Sequence, residues 1–197
     1  MGRIGAGVLG VVDESSPPFG TDGSVVYVVA LAVLRRSQID AVGSAMVHLL
    51  DRRRPLHWER EGTVVRERVV DQLCRLPVRL AAFAKITARA SQNAVRRELF
   101  ERQLLPAAVR LGVDELRIET RSEAENNQDR QTVRSWFRDE HHRIPTVVFA
   151  TKEDPLTWIA DATAGIVSDA LLDRDHRYLD RLIVSHQLVH FAHERTG

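Results

Sequence analysis

Residues 7–34 are "GVLGVVDESSPPFGTDGSVVYVVALAVL", two Val-rich runs on either side of a segment that holds two prolines and two glycines. Residues 8–12 and 25–34 are apolar at almost every position, which is typical of central strands that are covered on both faces. The Pro/Gly-rich segment favours a turn between neighbouring antiparallel strands. The stretch therefore predicts the middle of a β-sheet.

Beyond this stretch, helical periodicity alternates with short apolar runs. Further strands are expected at 56–58 ("LHW"), 77–87, 115–119 and 145–150. Helices are expected at 39–49, 62–76, 89–111 (with Gly112 as its C-terminal cap), 124–141 and 155–172. The segment 176–191 is compatible with either helix or strand. Early strands followed by alternating helices and strands predict an α/β protein with a mixed sheet flanked by helices.

Length and composition limit the class of protein. The 197 residues are 44% hydrophobic and 28% charged, which suits one globular domain over residues 1–197. Residues 174–197 are treated as a C-terminal extension whose secondary structure the sequence does not decide. The formal net charge of +1 excludes a global attraction to nucleic acid or membranes. Cys74 is the only cysteine, so neither an intrachain disulfide nor a Cys-based zinc site can form. Without a recognisable leader or an apolar span, a cytoplasmic protein with no membrane contact is expected.

Three acidic residues fall at comparable points of the predicted elements. Asp13 follows the first strand, Glu119 ends a later strand, and Asp161 lies in the second turn of the helix at 155–172. Small residues surround Asp161 at helical spacing, which would let that helix approach the sheet closely. Open α/β sheets place their ligands at such strand ends.

Clustered carboxylates repel one another unless a cation lies among them. An all-oxygen set without cysteine or a compact His motif favours Mg²⁺ or Mn²⁺. A carboxylate cage with two metal ions is a common device for phosphodiester hydrolysis. Each acid alone has a simpler interpretation: a turn cap for Asp13, a solvated strand end for Glu119 and an exposed helix position for Asp161. Only their joint placement favours a site.

Three motifs resemble those of a large bacterial family of domains of unknown function with a ribonuclease-H-like fold. They are "VVDESS" at the first strand, "RIETRSEAENNQDR" in the middle and "PLTWIADATAGIV" near the end, over roughly residues 8–172. The resemblance implies a metal-dependent nuclease whose ligands would be Asp13, Glu119 and Asp161. It also implies a fourth acid after the antiparallel strands, for which Glu59 is preferred to Glu61.

The sequence departs from that pattern at two points. Ser16 replaces the glycine that usually follows Asp-Glu-Ser, and two prolines come next. The middle acid is Glu119, one methylene longer than the aspartate common in the superfamily. Both departures are compatible with a loss of catalytic function.

Nucleic-acid contacts are expected from arginines, because a guanidinium binds phosphate. The candidates are Arg52, Arg53 and Arg54 in one run and Arg96 in a later basic series, although a solvated face is the simpler interpretation of such runs. His57 is a candidate proton shuttle near the rim of the sheet, with a packing role as the simpler interpretation.

The sequence thus predicts a nuclease that hydrolyses phosphodiester bonds of DNA or RNA, with Asp13, Glu119, Asp161 and Glu59 as the catalytic acids. The alternative is a non-catalytic module with the same fold that binds nucleic acid or a partner protein in a defence or mobile-element system. A third interpretation, a homo-oligomeric scaffold subunit, predicts a large apolar patch on the C-terminal extension.

Overall fold

A mixed sheet of seven strands forms the centre of the computed structural model, which describes residues 7–50 and 55–195. The strands are β1 (Val8–Ser15), β2 (Pro18–Phe19), β3 (Ser24–Arg35), β4 (Arg79–Ala88), β5 (Glu115–Glu119), β6 (Thr146–Ala150) and β7 (Leu188–Arg195). The helices are α1 (Ile39–Leu50), α2 (Thr63–Leu73), α3 (Gln92–Leu99), α4 (Leu105–Arg110), α5 (Glu123–Asp139), α6 (Thr157–Leu171) and α7 (Arg177–Val184). None of these helices is long and apolar enough to span a bilayer.

The strands run in the order β6-β5-β1-β3-β4-β7, and the short β2 pairs with the start of β3. β1, β3 and β4 form an antiparallel meander, whereas β5 and β6 run parallel to β1 and β7 runs parallel to β4. The two Val-rich runs are thus the adjacent strands β1 and β3, as predicted. β1 is longer than expected because its pairing with β3 continues to Ser15 opposite Val28.

Alternation along β3 divides the hydrophobic core into two clusters. Val26 and Val28 face one cluster, which includes side chains of α1, α2, α6 and α7. Val25 and Val29 face the other, which includes side chains of α3, α4 and α5. A strand covered on both faces has no polar side to expose, which explains its nearly uninterrupted apolar sequence.

The helix expected at 89–111 forms as α3 and α4, which a π-helical turn at Phe100–Leu104 connects. Pro106 is accommodated in the first turn of α4. Gly112 has a φ of 73°, a left-handed conformation that costs glycine little, and the Val113 N–H donates to the Ala108 carbonyl oxygen. The predicted C-terminal cap is therefore confirmed.

The structure settles one segment that the sequence left undecided and corrects another that was predicted as a strand. The undecided C-terminal segment forms α7 and then β7, which adds an edge strand beside β4. The strand expected at 56–58 was wrong: Trp58–Arg60 is a single 3-10 turn. Its Trp58 is buried, and the indole Nε1–H donates to Asp169 Oδ2 at 2.8 Å, so this segment packs on α6 and joins no strand.

Gly165 of α6 makes this packing possible. A Cβ at position 165 would overlap the Cγ, Cδ1 and Cβ atoms of Trp58. The side chains one turn away on either side, Asp161 and Asp169, both accept hydrogen bonds from Trp58. The stripe of small residues therefore receives an indole ring, a role that the sequence pattern did not reveal.

We expect Gly165→Ala to lower the free energy of unfolding by about 1–3 kcal/mol, because the added methyl group overpacks a buried contact with Trp58. Gly43→Ala in α1 is the matched control. A Cβ there meets nothing within 4 Å, and the better helix propensity of alanine should raise stability by roughly 0.5–1 kcal/mol. Urea unfolding measures both; equal effects of the two substitutions would contradict the packing described.

Candidate active site at the ends of β1 and β5

Asp13 lies within β1 and its side chain points to the face covered by α6. The preceding odd-numbered residues of the strand, Leu9 and Val11, belong to the core cluster on that face. Asp13 is only 1% exposed, and its Oδ1 accepts a hydrogen bond from the Glu14 N–H at 2.7 Å. The expectation that Asp13 follows the strand was wrong by three residues, because β1 continues to Ser15.

Glu119 lies beside Asp13 because β5 runs parallel to β1. Val12 pairs with Ile118, so the side chains of the next residues, Asp13 and Glu119, point to the same face of the sheet. Glu119 itself pairs with Ala150 at the end of β6. The register of three strands thus brings this carboxylate to the buried Asp13.

Asp161 approaches the two acids from α6. It lies in the second turn of the helix, and its Oδ2 accepts a hydrogen bond from the Trp58 backbone N–H at 2.8 Å. Its influence on Asp13 is electrostatic, since its charge contributes to raising the pKa of Asp13. The structure therefore brings together all three acids that the sequence predicted as metal ligands.

Lys152 also belongs to this cluster, and the sequence interpretation missed it. It lies two residues beyond β6, and its Nζ is 3.1 Å from Glu119 Oε1 and 3.6 Å from Asp161 Oδ1. The same Nζ lies 3.4 Å from Nδ1 of His57. One signal was available in the sequence: Lys152 is one of only two lysines in an arginine-rich chain, and it follows a predicted strand.

Burial and repulsion from neighbouring carboxylates raise the pKa values of Asp13 and Asp161. Burial is the largest cause of the raised pKa of Asp13, and its hydrogen bond and charge interaction with Glu119 add to it. Burial also raises the pKa of Asp161, although Lys152 and the Trp58 N–H partly offset this. Burial lowers the pKa of Lys152, but the charges of Asp13, Asp161 and Glu119 outweigh burial and raise it overall.

A hydrogen bond between Asp13 and Glu119 requires a proton on one of the two carboxyl groups. When both are ionised, the buried Asp13 Oδ2 has no hydrogen-bond donor among the described residues. A buried, charged oxygen without a hydrogen-bond donor is suited to bind a cation. The donor chemistry therefore fits Mg²⁺ or Mn²⁺. Within residues 7–50 and 55–195, however, no three Asp, Glu, His or Cys side chains are already spaced as ligands of one ion.

The carboxylate of Glu14 belongs to a different set of ion pairs from that of Asp13. Alternation along β1 directs its side chain to the opposite face of the sheet, where it forms ion pairs with Arg96 and, at 3.8 Å, with Arg121. Arg96 also binds both oxygens of Asp129, at 3.0 and 2.9 Å. The two adjacent acids of β1 thus belong to two separate charge networks.

Arg96 does not lie on the surface that a phosphate contact requires. It is 3% exposed, and its guanidinium is held by Asp129, Glu14 and the hydroxyl of Tyr27. The prediction of a nucleic-acid contact at this position does not agree with that placement, because the phosphate would have to displace internal ion pairs. The other predicted contacts, Arg52, Arg53 and Arg54, lie outside the described residues.

A cleft of about 250 Å³ opens beside the acids. Its lining includes His57, Glu59, Arg60, Lys152 and Asp161. Glu59, the preferred candidate for a fourth acid, is exposed and lines the cleft. Its alternative, Glu61, is buried at 6% exposure and does not line the cleft.

Comparisons with known proteins identify the architecture. A scan against protein-family models finds no match, and neither does a search of curated proteins. Among solved structures, RNase HII from Archaeoglobus fulgidus, in complex with PCNA, is similar at a TM-score of 0.51 and 14% identity, over 84% of this chain and 74% of that chain. Bst-RNase HIII in complex with Mn²⁺ has a TM-score of 0.47 and 16% identity, over 92% of this chain and 57% of that chain.

The chain has a ribonuclease-H-like fold. This confirms the predicted fold class, a mixed sheet flanked by helices. At 14% identity the likeness to RNase HII concerns the fold alone. The resemblance to the bacterial family with the Asp-Glu-Ser motif stays a prediction.

We expect Asp13→Asn to stabilise the metal-free protein by an amount on the order of 1 kcal/mol or more at pH 7–8. Asparagine keeps the acceptor for the Glu14 N–H and can donate toward Glu119, as a protonated Asp13 does. Because the folded-state pKa of Asp13 is raised, ionisation destabilises the fold as pH rises through that pKa. The advantage of Asn should therefore disappear below about pH 4, where the unfolded carboxyl is also protonated.

Urea unfolding in chelator from pH 4 to pH 8 measures this effect. Asp22→Asn is the control, because hydrogen bonds from Ser24 lower the pKa of Asp22 and favour its charged form. That substitution should not stabilise the protein. An Asp13→Asn protein less stable than the wild type at pH 8 would contradict the electrostatic interpretation.

We expect Arg96→Met to lower the free energy of unfolding by about 3 kcal/mol, because it removes one partner of a buried ion pair. This is the low end of the usual range, since Arg121 still lies 3.3 Å from Asp129. Arg97→Met removes an exposed arginine that pairs with Glu101 on the same helix and should change little. Similar losses for the two variants in thermal unfolding would refute the buried network.

Proposed function

We propose that this protein is a divalent-metal-dependent nuclease that hydrolyses phosphodiester bonds of DNA or RNA. The observation that supports this most directly is the meeting of Asp13, Glu119 and Asp161 in one corner of a ribonuclease-H-like sheet. The raised pKa values of Asp13 and Asp161, and the buried Asp13 Oδ2 without a hydrogen-bond partner, indicate a place where positive charge is needed. Stability alone does not account for buried, mutually repelling carboxylates, and such groups concentrate at functional sites.

Asp13, Glu119 and Asp161 would hold Mg²⁺ or Mn²⁺, which supplies an activated water and stabilises the charge that develops on the phosphate oxygens. The residues around the three acids would orient them, exclude water or face the substrate. Trp58 orients Asp161 through its N–H, so that one carboxylate oxygen is fixed while Oδ1 faces Lys152. Burial keeps water away from Asp13. Glu59, at the mouth of the cleft, is placed to reach a bound substrate or the water near it.

The substrate would enter along the cleft between the 57–60 segment and the ends of β1 and β6. Arg60 lines it and offers positive charge to a phosphate backbone. The arginines at 52–54 precede this segment in sequence and remain candidates for further backbone contacts. Nothing in this arrangement distinguishes a ribose from a deoxyribose, so the proposal covers both nucleic acids.

Cleavage of labelled single- and double-stranded DNA and RNA, and of RNA–DNA hybrids, tests the proposal in Mg²⁺, Mn²⁺ and chelator. We expect metal-dependent cutting that Asp13→Asn and Asp161→Asn each reduce by more than about 100-fold, because each removes a charged ligand. Asp22→Asn, which alters a carboxylate in the β2–β3 turn, should retain activity. Since Asp13→Asn should be at least as stable as the wild type without metal, unfolding would not explain its loss of activity.

One observation favours a second candidate function, a non-catalytic module that binds nucleic acid or a partner protein. Lys152, a residue of the chain itself, neutralises part of the charge of the carboxylate cluster. A site satisfied in this way could be purely structural. The same assay separates the two: a wild-type protein that cuts no substrate but binds nucleic acid equally well with and without Asp13→Asn would support the binding module and exclude the nuclease.

A further inference from the structure

The ammonium group of Lys152 lies where a cation would be expected. It contacts Glu119 at 3.1 Å and Asp161 at 3.6 Å, and the charge of Asp13 also acts on it. The side chain is 31% exposed, so the charge is only partly screened by water. Lys152 thus bridges two of the three carboxylates proposed as metal ligands.

The backbone of Lys152 is held in place from α6. The indole Nε1–H of the buried Trp158 donates to the Lys152 carbonyl oxygen at 2.7 Å. The turn continues with the Asp154 N–H donating to the Thr151 carbonyl oxygen at 3.0 Å. This anchoring limits how far the ammonium can withdraw from the acids, since only its own side-chain torsions remain free.

The charges on this face of the sheet limit how many divalent ions the site can bind. Three ionised carboxylates carry three negative charges, which one divalent ion and one ammonium balance. A second divalent ion would leave an excess of two positive charges in a largely buried site, which is unfavourable. Glu59 and Arg60 at the mouth of the cleft offset each other. Glu14 also lines the cleft, but ion pairs with Arg96 and Arg121 engage its charge.

We propose that Lys152 is a resident cation of the site, which restricts the carboxylate cluster to a single divalent ion and replaces a second one at Glu119 and Asp161. This inference rests on the proposed function, since it concerns the same acids. It differs from the two-ion arrangement that the sequence suggested. Lys152 would be a positioning residue, because it acts on the orientation of the two carboxylates and on their charge.

Counting bound Mn²⁺ tests the inference without reference to activity. We expect calorimetric titration and electron paramagnetic resonance to give one Mn²⁺ for the wild type and two for Lys152→Met. Lys85→Met is the matched control: it removes the other lysine, which pairs with Glu98 at 2.9 Å, and should still bind one ion. Mn²⁺ should also raise the melting temperature of Lys152→Met more than that of the wild type, since binding stabilises the folded state by mass action.

A wild type that binds two ions overturns the inference, and so does a Lys152→Met protein that binds one ion with unchanged affinity. Absence of Mn²⁺ binding in both also overturns it, because Lys152 would then limit nothing. Lys152→Gln provides a second variant should the Met protein fail to fold, and the wild-type count stands independently of both. If the wild type binds two ions and cuts nucleic acid in a metal-dependent way, the proposal about Lys152 fails and the nuclease proposal stands. If the ion counts are as expected but no substrate is cut, the nuclease proposal fails and the proposal about Lys152 stands.

Discussion

The burial of the Asp13 carboxylate in the central strand is the constraint on which the site depends. Asp13 lies on β1, between β3 and β5, and parallel pairing with β5 brings Glu119 to its side. Two like charges at low exposure would destabilise the fold, and the nearby ammonium of Lys152 offsets part of this cost. The raised pKa of Asp13 is the direct consequence. A corner of the sheet is thus kept electrostatically unfavourable, as expected where function opposes stability.

Strand alternation separates two charge systems that are adjacent in sequence. Asp13 faces α6 and the lysine, whereas Glu14 faces Arg96 of α3 and Arg121, which lies just before α5. On the second face, two arginines, Arg96 and Arg121, share three acids, Glu14, Asp129 and Glu125, and this network ties β1 to α3 and α5. On the first face, a single ammonium opposes three acids. The difference in charge balance explains why one face suits a cation and the other provides support.

α6 links the core to the site through one stripe of its surface. Asp161, Gly165 and Asp169 follow one another at intervals of four residues and therefore lie on one side of the helix. Trp58 fits across this stripe and donates to the acid at each end. Arg66 packs over the indole ring, 4.9 Å from its centroid. The 57–60 segment, with His57 and Glu59, is thereby held against the cleft although it has no regular strand.

Much of the architecture could be predicted because its signals are local. The apolar runs of β1 and β3, the periodicity of α6 and the glycine after α4 are each determined by neighbouring residues, and the three acids followed from their places at the ends of these elements. Arg96 and the segment 56–58 were misjudged for the opposite reason. An arginine on a helix has the same sequence signature whether it meets a phosphate or a buried aspartate 33 positions away.

The sequence by itself therefore determined most of the strands and helices before residue 173 and singled out the three acids as candidates, because hydrophobic periodicity and strand ends are properties of short segments. Only the tertiary structure decided that Lys152 lies among those acids, that Glu14 belongs to a different network and that Trp58 occupies the small-residue stripe. Each of these contacts joins segments far apart in the chain. Sheet register and helix packing determine which residues meet in these contacts, and a local sequence pattern contains no information about either.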